Sequence, residues 1–125
     1  MGIRTTMSQE DYLETILDLS SKSPEVKSVD VARIRSVSRA SVNKALSGLV
    51  EAGFVEHEPY SKITLTKKGK KIAKEIRERH DLLAKFLVDV LKVDPKIADD
   101  EACRMEHVIS VDTTKKLYNY LKSIK

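Results

Sequence analysis

The chain has 125 residues, 41% of them hydrophobic and 34% charged, and its 23 Lys and Arg against 19 Asp and Glu give a net charge of +4 at pH 7. That length makes one domain or two small ones. No apolar run approaches the roughly 18–20 residues of a bilayer span and no h-region stands near the start, so a membrane-spanning or secreted protein is not expected and a soluble, cytoplasmic one is.

After Ser8, the apolar residues Tyr12, Leu13, Ile16, Leu17 and Leu19 recur at helical spacing. Ser8 and Asp11 read as part of a capping box for this first helix. It stops at Ser20-Ser21-Lys22-Ser23-Pro24, a loop by composition. Val29, Val31, Ala32 and Ile34 then make a short helix ending at Ser36-Val37-Ser38, and Ser38 is placed to cap a third helix over 39–52, with Gly53 as its C-terminal stop. Two short helices joined by a tight turn are the sequence form of a helix-turn-helix. Directly behind them, Phe54-Val55-Glu56-His57-Glu58 and Lys62-Ile63-Thr64-Leu65-Thr66 flank Pro59-Tyr60-Ser61 as a hairpin. Helix, turn, helix and hairpin make a winged helix.

A long helix follows from about Lys67 to Leu91, with Ile72, Ile76, Leu83, Phe86, Leu87 and Val90 near helical spacing. Asp94-Pro95 starts another through about His107, and Ser110 precedes a last one carrying Leu117, Tyr118, Leu121 and Ile124. The expected fold is mainly α: an N-terminal winged helix-turn-helix with a small β-hairpin wing over 1–70, then a long connecting helix leading into a C-terminal helical domain over 71–125.

Charge alternates in blocks along this frame. Residues 61–80 carry 8 basic and 2 acidic side chains, residues 81–112 carry 4 and 8, and residues 113–125 carry 4 and none. Arg33, Arg35, Arg39 and Lys44 fall in a stretch without a single acid, a footprint suited to phosphates; a plainly solvated face is the other reading. At the start of the third helix, Arg39, Ala40, Ser41, Asn43 and Lys44 stand where helix-turn-helix proteins address base edges. Tyr60 and Lys62 in the hairpin, with Arg33, Arg35, Lys67, Lys68, Lys70 and Lys71, are expected to meet phosphates. Val42, Ala45, Leu46 and Leu49 fall on the opposite, core-facing side.

Cys103, Glu106 and His107 stand at i, i+3 and i+4, so a helix puts thiolate, carboxylate and imidazole on one face. Sulfur, nitrogen and oxygen together suit a first-row transition metal better than calcium or magnesium. A catalytic thiol-imidazole pair is the rival reading, but no oxyanion-hole signal accompanies it. The single cysteine fits a reducing compartment. Asp11 and Glu14, at i and i+3, share a face of the first helix, either as first-turn acids or as further ligands. His80 and His57 are lone histidines, which are usually surface residues.

Five separated motifs then carry a resemblance: Glu10-Asp11-Tyr12-Leu13-Glu14, the turn and helix from Val37 to Lys44, Leu65-Thr66-Lys67-Lys68-Gly69, Arg79-His80-Asp81-Leu82-Leu83, and the run from Asp100 to Ser110. In this order they resemble the diphtheria-toxin-repressor family of metal-dependent regulators, and the length is similar to the manganese-transport-regulator branch, which stops after the dimerisation domain. The resemblance implies metal ligands at Asp11, Glu14, His80, Cys103, Glu106 and His107. It also implies Mn2+ or Fe2+ as effector, Zn2+ and Co2+ as alternative occupants, a homodimer, and a palindromic double-stranded DNA operator, that of metal-uptake genes. Cys103 resembles the iron branch and Asp11 with Glu14 the manganese branch; Ala84 and Asp99 stand where iron regulators place a glutamate and a histidine ligand.

The reading is therefore a metal-activated repressor, not an enzyme, in which metal bridges the DNA-binding and dimerisation lobes. The alternative is a winged-helix regulator without a metal switch. A metal hydrolase is a third class, lacking an obvious general base.

Overall fold

The computed structural model describes residues 5–57 and 62–124, and the chain divides into two compact units, Met1–Lys74 and Glu75–Lys125. The first unit opens with α1, Met7–Lys22. Its cap is Thr6, not Ser8. The Thr6 hydroxyl accepts from the Gln9 amide at 3.0 Å, and the Gln9 side chain accepts from the Thr6 amide at 3.0 Å. The box forms two residues earlier than expected because Thr6 has extended backbone and a glutamine three residues on, which leaves Ser8 and Asp11 inside the helix.

Helix α2 (Ser28–Arg35) ends at Ser36, which takes the left-handed conformation at φ 56° and ψ 45°. Helix α3 (Arg39–Glu51) starts at Ser38, whose hydroxyl accepts from the Ser41 amide at 3.1 Å. It stops before Gly53, at φ 83°, as the sequence predicts. The wing is slighter than expected. Strands β1 (Val55–Glu56) and β2 (Thr64–Leu65) pair antiparallel, Val55 opposite Leu65 and Glu56 opposite Thr64. Ile63 turns away from that pair because its amide is taken by Val26, donating to the Val26 carbonyl at 2.7 Å. The predicted turn at Pro59-Tyr60-Ser61 lies outside the described residues.

Leu13, Ile16, Val31, Val42, Leu46, Leu49, Phe54 and Val55 are the centre of this unit's core, each essentially excluded from solvent. Of the four α3 residues expected inside, Ala45 alone is only partly buried. The start of α4 (Lys67–Lys85) is bound to the end of α3 by one compact knot. The Thr66 hydroxyl accepts from the Gly69 amide at 3.1 Å and donates to the Gly53 carbonyl at 2.7 Å. The Lys68 ammonium donates to the Ala52 carbonyl at 3.0 Å and sits 5.1 Å from the centre of the Phe54 ring. Lys68, expected to meet phosphate, here caps the negative end of a helix.

In the second unit the long helix does not stay α-helical to Leu91. Phe86–Val90 form a π-helical turn, closed by the Leu91 amide donating to the Phe86 carbonyl at 3.3 Å. Asp94 caps α5 (Pro95–Met105), accepting from the Lys96 amide at 3.2 Å, with Pro95 at the first helical position. Ser110 caps α6 (Val111–Ser123), accepting from the Thr113 amide at 3.0 Å. Leu83, Leu87, Ala98, Ala102 and Leu121 are buried, while Leu91, Ile97, Val108, Val111 and Tyr118 are exposed. Among the described residues, no helix is long and apolar enough to cross a membrane.

Candidate metal centre and nucleic-acid interface

The second unit gathers His80 from α4 with Cys103 and Glu106 from the end of α5. One ligand atom from each of the three lies within 4.8 Å of the others. Glu106 is fully buried and His80 is 4% exposed, whereas Cys103 is exposed, so the cluster is closed on one side and open on the other. Helix α5 ends at Met105, two residues short of the predicted limit. Glu106 is its C-terminal cap with helical backbone, and His107 lies just beyond. The i, i+3 relation of Cys103 and Glu106 therefore survives, and the His107 side chain stays nearly buried with Nε2 3.9 Å from Glu106 Oε1.

The polar atoms here favour an ion. Both Glu106 oxygens and His80 Nδ1 are buried without a hydrogen-bond partner. Removing such groups from water without compensation costs several kcal/mol, of order 2–7 for a neutral polar group and more for a charged one. His80 Nδ1 is 3.7 Å from Glu106 Oε1, an ion-pair distance rather than a hydrogen bond. His80 Nε2 meets Asp99 Oδ1 at 2.7 Å. The Glu106 carboxylate beside the ring, opposed by burial and assisted by Asp99, holds the His80 pKa up at about 9 against an ordinary 6.5. Arg79 fixes the turn from behind, donating to the Glu106 backbone carbonyl at 3.0 Å. Thiolate, imidazole and carboxylate converging on one point are a donor set for a divalent transition metal.

Asp11 and Glu14 lie on α1 in the first unit. Glu14 is buried, and Asp11 Oδ2 is 3.2 Å from the Arg35 guanidinium of α2. The acid-free stretch of sequence thus acquires acidic partners by folding, since Arg33 also pairs with Asp30, at 3.5 Å.

Arg39, Ala40, Ser41, Asn43 and Lys44 are all exposed on the first two turns of α3, and Lys62 is exposed beside β2. Lys27, Arg39, Asn43 and His57 line one open groove along this helix, and His57, expected to be plain surface, is half-buried there. Tyr60 lies outside the described residues.

Two residues of the metal centre were undervalued by the sequence pattern. His80 by itself reads as surface. Asp99 reads only as a departure from the iron-branch pattern, although Asp99, Cys103 and Glu106 at i, i+4 and i+7 form one helical stripe that could have revealed it.

Residues 4–63 match the N-terminal DNA binding domain of the iron dependent repressors, and residues 66–125 match their metal binding and dimerisation domain. The chain is similar to an uncharacterized HTH-type transcriptional regulator of Methanocaldococcus jannaschii, 35% identical over 121 residues, covering 96% of this chain and 97% of that one. It is 41% identical over 104 residues to the transcriptional regulator MntR of Salmonella typhimurium, covering 83% of this chain and 66% of MntR. A solved manganese-dependent transcriptional repressor in complex with manganese superposes with a TM-score of 0.84 at 29% identity, covering 91% of this chain. The chain spans about half the length of that repressor, 52% of it.

Proposed function

We propose, since this chain belongs to the family of iron-dependent repressors, that it is a metal-activated, DNA-binding transcriptional repressor. Members of the family are transcriptional regulators rather than enzymes. The protein acts in the cytoplasm as a homodimer on a palindromic double-stranded operator, with Mn2+ or Fe2+ as effector. The observation that carries this reading is the convergence of His80, Cys103 and Glu106, with buried and unpartnered polar atoms, inside the metal binding and dimerisation match.

Asp11 and Glu14 of the first unit and His80, Cys103, Glu106 and His107 of the second are the residues that would hold the ion. A bound divalent cation supplies positive charge and directional bonds that offset the buried carboxylates. Arg39, Ala40, Ser41, Asn43 and Lys44 face base edges and neighbouring phosphates, while Tyr60 and Lys62 touch the backbone. In a homodimer the two copies of α3 then address successive major grooves, roughly 34 Å apart. The exposed Leu91, Ile97, Val108, Val111 and Tyr118 supply apolar area for the second copy. A 100-fold preference of metal for the DNA-competent arrangement biases it by about 2.7 kcal/mol per site.

The test is anaerobic titration of metal-free protein with Mn2+, Fe2+ and Zn2+, following affinity for DNA from its own promoter region at fixed salt. Metal tightens binding, and Asp11→Ala or His107→Ala removes the tightening. Equal binding with and without metal leaves a constitutive winged-helix regulator and overturns the metal switch. In the same assay, Cys103→Glu raises the response to Mn2+ relative to Fe2+ if the thiolate is the selector.

A further inference from the structure

We propose that Asp99 is a positioning residue of the metal centre, holding the His80 ring by Nε2 so that Nδ1 is the nitrogen presented to the ion. The inference rests on the metal reading above and extends it by one residue that is not itself a ligand. Three observations support it. Asp99 Oδ1 lies 2.7 Å from His80 Nε2, the shortest contact either group makes within the cluster. His80 Nδ1, on the other side of the ring, is buried without a hydrogen-bond partner and lies 3.7 Å from Glu106 Oε1. Cys103 and Glu106, whose ligand atoms complete the cluster with His80, follow Asp99 on the same stripe of α5.

The two nitrogens of an imidazole point in diverging directions, so a carboxylate on one and an ion on the other do not compete. With Asp99 accepting from Nε2–H, the ring carries its proton away from the cluster, and the Nδ1 lone pair is left for the metal. The carboxylate also fixes the ring plane and strengthens Nδ1 as a donor. A partner on one nitrogen fixes which of the two is left for an ion. Asp99 is that partner. Its side chain is 71% exposed, so removing it opens no cavity.

The experiment uses the full chain and its Asp99→Ala, Asp99→Asn and Glu106→Gln variants. Zn2+ and Mn2+ affinities are measured by competition with a chelating dye, and nitrogen-15 spectra of the histidine side chains are recorded on the diamagnetic Zn2+-loaded protein. In the parent, His80 is metal-bound at Nδ1 and carries its proton on Nε2. Asp99→Ala weakens metal binding by about 10- to 100-fold, the usual effect of losing such a partner. Asp99→Asn weakens it less and keeps the nitrogen pattern, because a carboxamide oxygen still accepts from Nε2–H. Unchanged affinity in Asp99→Ala overturns the proposal, as does a spectrum with Nε2 bound to metal. Equal losses in Asp99→Ala and Asp99→Asn, with the nitrogen pattern intact in both, make Asp99 a ligand and overturn the positioning role. Failure of the metal reading itself is distinct: the parent then binds no stoichiometric metal and Glu106→Gln changes nothing, which removes both.

Discussion

Replacing Gly69 by alanine tests how tightly the recognition helix is locked to the long helix behind it. A Cβ at Gly69 would stand 1.9 Å from the Phe54 carbonyl oxygen and 2.8 Å from its carbon. Ordinary contact needs more than 3 Å, so something must move by over about 1 Å, and interiors packed to crystal-like density resist that. Phe54 cannot retreat, being 1% exposed in the centre of the core. If α4 moves instead, it strains the Thr66 amide to Phe54 carbonyl bond at 3.0 Å, the Thr66 hydroxyl to Gly53 bond and the Lys68 to Ala52 bond. Overpacking costs about 1–3 kcal/mol and each weakened hydrogen bond about 1, against a gain of under about 1 kcal/mol from replacing glycine in a helix. The net is a loss of about 3–5 kcal/mol, or roughly 15 °C in Tm at about 4 °C per kcal/mol. Gly48, exposed in α3 with nothing within 4 Å of its would-be Cβ, is the internal control. Gly48→Ala gains about 0.5–1 kcal/mol by the same propensity term. Thermal and urea unfolding of metal-free protein, followed by circular dichroism, measures both. If Gly69→Ala is as stable as the parent, or the two substitutions shift stability in the same direction, the close approach at Phe54 is not what reserves this position for glycine.

Other consequences follow from single residues. His80 has its pKa raised to about 9 in the folded, metal-free protein from 6.5 when unfolded. Its stabilising contribution is therefore complete below pH 6.5 and is lost as pH rises through 9, and that gap is worth about 3 kcal/mol. Urea unfolding of chelator-treated protein from pH 6 to 10 reveals the slope, and a His80→Gln variant with the same slope refutes the assignment. Ser36 holds left-handed backbone at φ 56°, a conformation that costs a non-glycine residue about 1–2 kcal/mol. Ser36→Gly accordingly raises Tm, less the extra entropy glycine gives the unfolded chain; a fall in Tm contradicts this account of the turn. If Asp11 holds metal, as proposed, Arg35 competes for it through their 3.2 Å ion pair, in which both side chains are about a third exposed. Exposed pairs are worth roughly 0–1 kcal/mol, so Arg35→Ala tightens Mn2+ binding by up to about fivefold in calorimetry, and weaker binding would show that Arg35 instead supports the Asp11 carboxylate.

Most of the helical frame was legible because its signals are local. Ser38, Asp94 and Ser110 cap the helices they were expected to cap, and Gly53 takes the positive φ that ends α3. Each needs only a side chain two or three residues from a free amide, or a residue without Cβ. Where the reading missed, a competing partner lay at a distance in sequence or a stronger local one stood nearby. Thr6 with Gln9 outcompetes Ser8 as the first cap. Ile63 leaves the hairpin for Val26, some 37 residues earlier in the chain, and Lys68 turns inward to Ala52 and Phe54. The π turn at Phe86–Val90 has no sequence signature that distinguishes it from an α-helical one.

The metal cluster divides along the same line. Cys103 and Glu106 could be placed together from a helical repeat, because a helix of known period is enough to bring their side chains to one face. His80 could not, since no periodicity links α4 to α5. Its burial and its pairing with Asp99 and Glu106 exist only after the two helices pack within the second unit. This asymmetry has a chemical meaning. A site drawn wholly from one helix would assemble with that helix and report nothing about the rest of the fold. One that needs His80 from α4 and Glu106 from the end of α5 is complete only when the unit is packed, so ligand binding is favourable in proportion to how well that packing is already made. The unpartnered oxygens of Glu106 are the cost of holding such a site ready, and metal that relieves them stabilises this packed arrangement over looser ones.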